Sequence, residues 1–206
     1  MTSMAYKLHK LYLSNKTVFA TSELMHYLEL YNKDSLYVVL NRMVKNDFLK
    51  RIKQGLYALN VGKIDPFEIA GNIYKNVYIS FETVLFKEGI TNQEYFTTYF
   101  LAVPRTLTIE NSYGTFQIFK MPDFVLANRQ GVEFVENRYL IATKERAVCD
   151  LFYKFGVVDL DDPLELDPEK LEKVAKIYRN KRLESQIHRL ADGIRRQNKM
   201  ETGVNF

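Results

Sequence analysis

The chain has 206 residues, 47% of them hydrophobic, which is enough to bury the core of one large or two small domains. It contains no apolar run long enough to span a bilayer, no signal-peptide pattern and a single cysteine, so a cytoplasmic protein without membrane contact is expected. The formal net charge of +4 permits a polyanionic partner without requiring one.

Three helices are predicted at the start of the chain, because apolar residues recur there at helical spacing. Thr21 or Ser22 is the expected cap of the second helix, and Asn32 is the expected cap of the third. The third helix has an apolar face formed by Leu36, Val39, Leu40 and Met43. Its other faces are polar and basic, so this helix is available to contact a partner.

A basic hairpin is predicted from "NDFLKRIKQGLYALN", residues 46–60, in which two runs of strand composition flank a turn at Lys53-Gln54-Gly55. Three helices followed by a basic hairpin is the order of a winged helix-turn-helix, whose third helix enters the major groove of DNA. The sequence therefore predicts a winged helix-turn-helix DNA-binding domain over residues 1–62.

We expect the third helix and the hairpin to supply the DNA contacts. Lysine and arginine neutralise phosphates, and asparagine and arginine can pair with base edges. The predicted DNA-binding residues are Lys33, Ser35, Tyr37, Asn41, Arg42, Lys45, Lys50, Arg51, Lys53 and Gln54. The alternatives are a solvated helix face beside an ordinary hairpin, and a winged helix that binds protein and never touches DNA.

A linker is predicted at "NVGKIDP", residues 60–66, where Gly and Pro mark a change of pattern. Beyond it, helical patterns precede and follow a stretch of strands from Tyr99 to Ala142. The prediction for residues 63–206 is a mixed domain with a small, mainly antiparallel sheet and flanking helices. The expected fold class of the whole chain is α+β.

Residues with catalytic chemistry are scattered, so we expect no enzyme. The three histidines lie far apart and without the spacing of metal ligands, so neither a metal nor a cofactor is predicted. Cys149 lies in an apolar helix, where a packed small residue is expected rather than a nucleophile. Arg146 and Asp150, four residues apart on that helix, are expected to form a structural ion pair.

The C-terminal helices are rich in basic residues. These side chains form either a second surface for DNA or a partner, or a solvated helix face. The candidate basic surface consists of Arg182, Arg189, Arg195 and Arg196.

Three segments together resemble the AbiEi family. They are "GLYALN" at the end of the hairpin, "YISFETVLFKEGI" after the linker, and "IATKERAVCDLFY" after the strands. Their order and spacing are more specific than any one of them, and the resemblance runs from about Phe19 to about Phe155. AbiEi proteins are the antitoxin-type transcriptional regulators of bacterial type IV toxin–antitoxin systems, first known from phage abortive infection.

The resemblance implies a winged helix that binds inverted repeats in its own promoter and represses its operon. It also implies a C-terminal antitoxin domain that counters a cognate nucleotidyltransferase-like toxin, AbiEii, without forming a stable complex with it. The oligomeric state stays open and includes a monomer that binds DNA cooperatively. An enzyme that modifies the toxin or a nucleotide is the remaining alternative.

The motifs of the family fall on particular residues of this chain. The wing motif falls on Lys53, Gly55, Leu56 and Tyr57. Gln54 stands where relatives often have Arg, so the phosphate contact is expected from Lys53 instead. The C-terminal motif falls on Glu145, Arg146 and Asp150, for which we expect a structural role.

Overall fold

The computed structural model of the protein describes residues 4–60, 64–74, 77–93, 98–103, 106–136 and 138–202. Residues 4–60, the N-terminal part, contain helices and strands in the order α1 (Met4–Leu13), β1 (Val18–Ala20), α2 (Thr21–Tyr27), α3 (Lys33–Lys45), β2 (Leu49–Lys53) and β3 (Leu56–Leu59). The three predicted helices and the hairpin are confirmed. Strand β1 was not predicted, since three residues are too few to show an alternating pattern.

The boundaries of α2 and α3 follow from local hydrogen bonds. The Asn32 side chain accepts a hydrogen bond from the Ser35 N–H at 3.0 Å, which confirms the predicted cap of α3. The predicted cap of α2 is wrong, because Ala20 precedes the helix there. The Glu23 carboxylate satisfies that end instead by accepting from the Ala20 N–H at 2.8 Å.

The first three strands form a small antiparallel sheet in the order β1-β3-β2. The hairpin turns at Gln54 and Gly55, and Gly55 has a φ of 82°, a conformation that glycine adopts without strain. One face of this sheet packs against the three helices through Phe19, Tyr57 and Leu59. The sheet therefore completes the core of the N-terminal part.

Residues 64–202, the C-terminal part, contain a sheet and flanking helices. The elements are α4 (Pro66–Asn72), β4 (Tyr78–Ile79), α5 (Phe81–Lys87), β5 (Thr98–Val103), β6 (Leu107–Asn111), β7 (Gly114–Lys120), α6 (Asp123–Ala127), β8 (Val132–Val135), β9 (Tyr139–Ala142), α7 (Lys144–Phe155), α8 (Pro168–Ala175) and α9 (Lys181–Thr202). Short 3-10 turns occupy Pro163–Glu165 and Lys176–Tyr178. Elements β4, α6 and β8 were not predicted.

The strands of the C-terminal part form one six-stranded sheet in the order β6-β7-β5-β4-β9-β8. Strands β5 and β7 pair in parallel, as do β4 and β9, and the other three neighbouring pairs are antiparallel. The expected α+β class is therefore confirmed, with a mixed sheet. Helix α7 contacts α5, α8 and α9 beside this sheet.

The small sheet of the N-terminal part lies between two hydrophobic clusters, one on each of its faces. The second face of the small sheet, with Val18, Leu56 and Ala58, belongs to the same cluster as Ile69 and Ile73 of α4 and its surroundings. Residues 61–63 of the predicted linker lie outside the described residues.

A buried carboxylate reinforces this junction. Glu68 on α4 is fully buried, and its Oε1 accepts hydrogen bonds from the backbone N–H groups of Thr17, at 2.8 Å, and Val18, at 3.0 Å. Its Oε2 accepts from the Thr17 hydroxyl at 2.6 Å. Because these donors precede and begin β1, the Glu68 junction fixes α4 against the small sheet. None of the helices in the described ranges is both long and apolar enough to cross a membrane.

Candidate nucleic-acid interface

The outward side of α3 carries the helical residues predicted to contact DNA. All of them are exposed: Lys33, Ser35, Tyr37, Asn41, Arg42 and Lys45. They point outward because Leu36, Leu40 and Met43 are buried on the opposite face of the helix. Their burial turns the intervening positions to solvent, as helical periodicity requires.

The hairpin residues predicted to contact DNA differ in their exposure to solvent. Lys50, Arg51 and Gln54 are exposed, whereas Lys53 is partly buried. The register between β2 and β3 shifts between Arg51 and Lys53, and Ile52 between them is buried in the cluster that contains Ile69 and Ile73 of α4. Lys53 therefore lines a cleft behind the hairpin, and burial lowers the pKa of its ammonium group.

The cations of this face are not neutralised by acidic neighbours. Among the described residues, no ion pair involves Lys33, Arg42, Lys45, Lys50, Arg51 or Lys53. Elsewhere in the N-terminal part, by contrast, Lys10 lies 3.1 Å from Glu29 and Lys16 pairs with Glu23. Unpaired lysine and arginine side chains are the groups that can replace counterions on a phosphate backbone.

The same face of α3 also exposes apolar surface. Tyr37 is 46% exposed and Val38 is 59% exposed. A tyrosine can hydrogen-bond to phosphate or contact a thymine methyl group, and it is also enriched in protein interfaces. This pair is therefore compatible with either kind of partner.

The predicted C-terminal basic surface divides between two faces of α9. Arg182, Arg189 and Arg196 recur every seven residues on one exposed stripe. Arg195 lies on another face, where it donates to Glu172 at 2.7 Å. The hydrogen bonds from Arg195 and from His188 lower the pKa of Glu172 to about 2.

Arg146 and Asp150 form the predicted ion pair, and both side chains are fully buried. The Arg146 Nε lies 3.6 Å from Asp150 Oδ1, and the guanidinium donates to the carbonyls of Gln130 and Val125 at 3.0 and 2.8 Å. Burial raises the pKa of Asp150, while the neighbouring guanidinium opposes that shift. The ion pair expected from the spacing is therefore confirmed, and its structural role stays a prediction.

Three hydroxyl groups complete the environment of Asp150. Its carboxylate accepts from Tyr178 at 2.6 Å, from Ser80 at 2.7 Å and from Tyr78 at 2.9 Å. These donors come from β4, the residue before α5 and the turn after α8, so the network joins distant parts of the chain. Hydrogen bonds from three hydroxyl groups to one buried carboxylate restrict how the elements that carry them can pack.

Cys149, beside this network, is packed as predicted. It is fully buried, and burial raises the pKa of its thiol well above the usual value, so it is a poor nucleophile. Within the described residues, no three His, Cys, Asp or Glu side chains are grouped so as to hold a metal ion.

A cleft behind the hairpin was not predicted from the sequence. It has a volume of about 810 Å³ and separates the hairpin turn from α4 and the β8–β9 hairpin. Its basic residues are Lys16, Lys53, Arg129 and Arg138, and Glu23 is the acidic residue among those that line it. No local pattern indicates this cleft, because its walls come from segments that are distant in sequence.

Comparison with known proteins gives a likeness of fold alone. No family model matches the chain, and no curated protein matches it either. Among solved structures, the crystal structure of the RV2827C protein from Mycobacterium tuberculosis is similar over 89% of this chain and 75% of that one, with a TM-score of 0.50 and 14% identity. The two chains therefore share an overall arrangement of helices and strands.

Proposed function

We propose that this protein binds double-stranded DNA through a winged helix-turn-helix, with α3 as the recognition helix and the β2–β3 hairpin as the wing. The observation that carries the proposal is the group of six unpaired cations on α3 and the hairpin. Asn41 and Arg42, both exposed on α3, have the side chains best suited to read base edges. Lys50 and Arg51 supply phosphate contacts that are independent of sequence.

We further propose that the protein is an autorepressor and antitoxin of the AbiEi type. This part of the proposal is supported by the three segments that resemble that family. Its DNA target would be inverted repeats upstream of its own gene, and its C-terminal part would counter a nucleotidyltransferase-like toxin without a stable complex.

Binding to DNA is tested with labelled duplexes and the wild-type protein. Fluorescence anisotropy compares a duplex from the region upstream of the gene with a random duplex of equal length. We expect the upstream duplex to bind about a thousandfold more tightly, and log K to fall with log salt with a slope of about −5, because six unpaired cations lie on α3 and the hairpin. Equal affinity for the two duplexes, or no salt dependence, would contradict the proposal.

The antitoxin activity is tested separately from repression. A variant with Asn41, Arg42, Lys45 and Lys53 all changed to Ala should lose operator binding and still rescue cells from toxin expressed from an independent promoter. A folded and abundant variant that fails to rescue would show that antitoxicity requires the DNA-binding face.

A second candidate function is favoured by the exposed Tyr37 and Val38 on α3. In that case the same face binds a protein, as some winged helices do. The duplex titration separates the two functions, because a protein-binding face shows no preference for the upstream duplex. Tyr37→Ala should then weaken the protein complex and leave the weak binding to DNA unchanged.

A further inference from the structure

The cleft behind the hairpin, which we call the hairpin cleft, brings the two parts of the chain together. Its walls include Lys53 and Gly55 of the hairpin, Gly71 of α4, and Arg129 and Phe134 from the start of the β8–β9 hairpin. Its volume of about 810 Å³ falls within the range of small-ligand sites and exceeds what a single anion needs. The hairpin cleft is therefore large enough for a phosphate together with the group that carries it.

Two of the four cations in the hairpin cleft are already neutralised. Lys16 pairs with Glu23, and Arg138 pairs with carboxylates that include Asp65, at 3.5 Å. A side chain held in such a pair has less charge available for a ligand. These two cations shape the wall of the hairpin cleft and do not by themselves define an anion site.

The other two cations, Lys53 and Arg129, have no partner among the described residues. No hydrogen bond or ion pair of either side chain is present within them, and one cation comes from each part of the chain. Arg129 is exposed, and burial of Lys53 without a compensating charge lowers the pKa of its ammonium group. A bound anion would remove that electrostatic cost.

The rim of the hairpin cleft adds an aromatic surface. Phe134 on β8 is 59% exposed, whereas Tyr139 on the neighbouring β9 lines the cleft but is buried, so Phe134 supplies the accessible ring. Aromatic side chains give the sugar and base of a nucleotide an apolar surface to pack against. Unpaired cations beside aromatic rings therefore favour a phosphate carried by a nucleotide unit over a simple inorganic ion.

We propose that the hairpin cleft binds the phosphate of a nucleotide unit between Lys53 and Arg129. The unit is part of the DNA backbone beside the hairpin or a free nucleotide, and the recognition chemistry is the same in both cases. The DNA source rests on the proposed function, because it requires the duplex to pass the hairpin. The inference then assigns a DNA contact to the C-terminal part.

The test compares single-charge variants on three probes: the upstream duplex, the random duplex and ATP. Lys53→Gln and Arg129→Gln remove the two proposed contacts, and Arg129→Lys retains the charge. Lys120→Gln is the matched control, because Lys120 is exposed at the end of β7, four strands from β8 in the sheet. Circular dichroism and the thermal midpoint of each variant show that the fold is kept.

If the phosphate belongs to DNA, Lys53→Gln and Arg129→Gln should each weaken both duplexes about three- to tenfold. Each should also reduce the salt slope by about one, while Arg129→Lys restores most of the loss. The double variant should lose less than the product of the two single losses, since both cations hold one group. If the source is a free nucleotide, the same pattern appears with ATP, and Arg129→Gln leaves the affinity for both duplexes unchanged.

Several results overturn the inference. These are the absence of any probe on which both Lys53→Gln and Arg129→Gln lose more affinity than Lys120→Gln, or no binding of any probe by the wild-type protein. Failure of the proposed function is distinguishable from these results. A wild-type protein that does not prefer the upstream duplex but binds ATP through Lys53 and Arg129 contradicts the proposed function and supports the hairpin cleft.

Discussion

Removing the Glu68 carboxylate should destabilise the whole chain, because this side chain joins α4 to the strand that precedes α2. In Glu68→Ala, the N–H groups of Thr17 and Val18 lose their acceptor, and Val18 is fully buried. An unsatisfied buried donor costs about 1–3 kcal/mol, and the part-buried N–H of Thr17 costs less, so the two together cost roughly 2–5 kcal/mol. The variant no longer has to bury a carboxylate, which offsets part of that cost. We therefore expect a net loss of about 3 kcal/mol.

Glu68→Gln is the matched control for this prediction. The amide oxygen of glutamine can still accept from the N–H groups of Thr17 and Val18, and its NH₂ group can donate to the Thr17 hydroxyl. The expected loss is about 1 kcal/mol, because both N–H groups keep their acceptor and only the 3.8 Å ion pair with Arg138 is removed. Any larger difference between glutamate and glutamine would measure the charge rather than the hydrogen bonds.

Urea unfolding of wild type and both variants measures these free energies, provided that the transition stays two-state. A loss of about 3 kcal/mol corresponds to a lowering of Tm by roughly 6–12 °C for a chain of this size. The reasoning is refuted if Glu68→Ala is as stable as wild type, or if glutamine is as destabilising as alanine. Separate transitions for the two parts would contradict their coupling through Glu68 and the small sheet.

The other predictions concern packing, the buried network and pH. Gly71→Ala should cost about 1–3 kcal/mol in urea unfolding, because its Cβ would overlap that of Tyr139. In Gly193→Ala, the control, the Cβ meets nothing within 4 Å, so α9 should gain up to about 1 kcal/mol. Arg146→Lys should cost about 2–3 kcal/mol, since a lysine ammonium lacks the planar fork with which the guanidinium donates to two carbonyls and a tyrosine hydroxyl. Unchanged stability would contradict the structural role of the guanidinium. Because the pKa of Glu172 falls from 4.5 to about 2, its contribution is complete above pH 4.5 and is lost as the pH falls towards 2. Glu172→Gln should flatten the acid side of the stability profile in that interval, and an unchanged slope would count against this ion pair.

The elements of the N-terminal part that could be predicted are those whose signals are local. Helix α3 has an apolar stripe and a capping asparagine within a few residues of each other, and both were visible in the sequence. The hairpin has a glycine at the position that requires a positive φ. Strand β1 could not be predicted, because Val18–Ala20 is extended only through pairing with β3, far along the chain.

The sequence could predict which residue types form the candidate site. It could not predict the direction in which every side chain points. Exposure of Asn41 and Arg42 follows from helical periodicity. Lys53 faces the hairpin cleft because the strand register shifts beside it, and sequence alternation does not reveal such a bulge. Arg129 was missed because its neighbours in the cleft are distant in sequence.

The ion pair of Arg146 and Asp150 shows the same limit in the protein core. Their spacing of four residues predicts the pair, but no local pattern predicts that Tyr78 and Tyr178 donate to the same carboxylate. These tyrosines are brought together only by the packing of α7 against β4 and the turn after α8.

The most direct test of DNA recognition by α3 is the affinity of point variants for the upstream and random duplexes. Asn41→Ala and Arg42→Ala should each lose about 1–3 kcal/mol on the upstream duplex and little on the random one. Lys50→Ala and Arg51→Ala should weaken both duplexes about equally, because phosphate contacts do not depend on sequence. Equal losses on both duplexes for the α3 variants would contradict the assignment of α3 as the recognition helix.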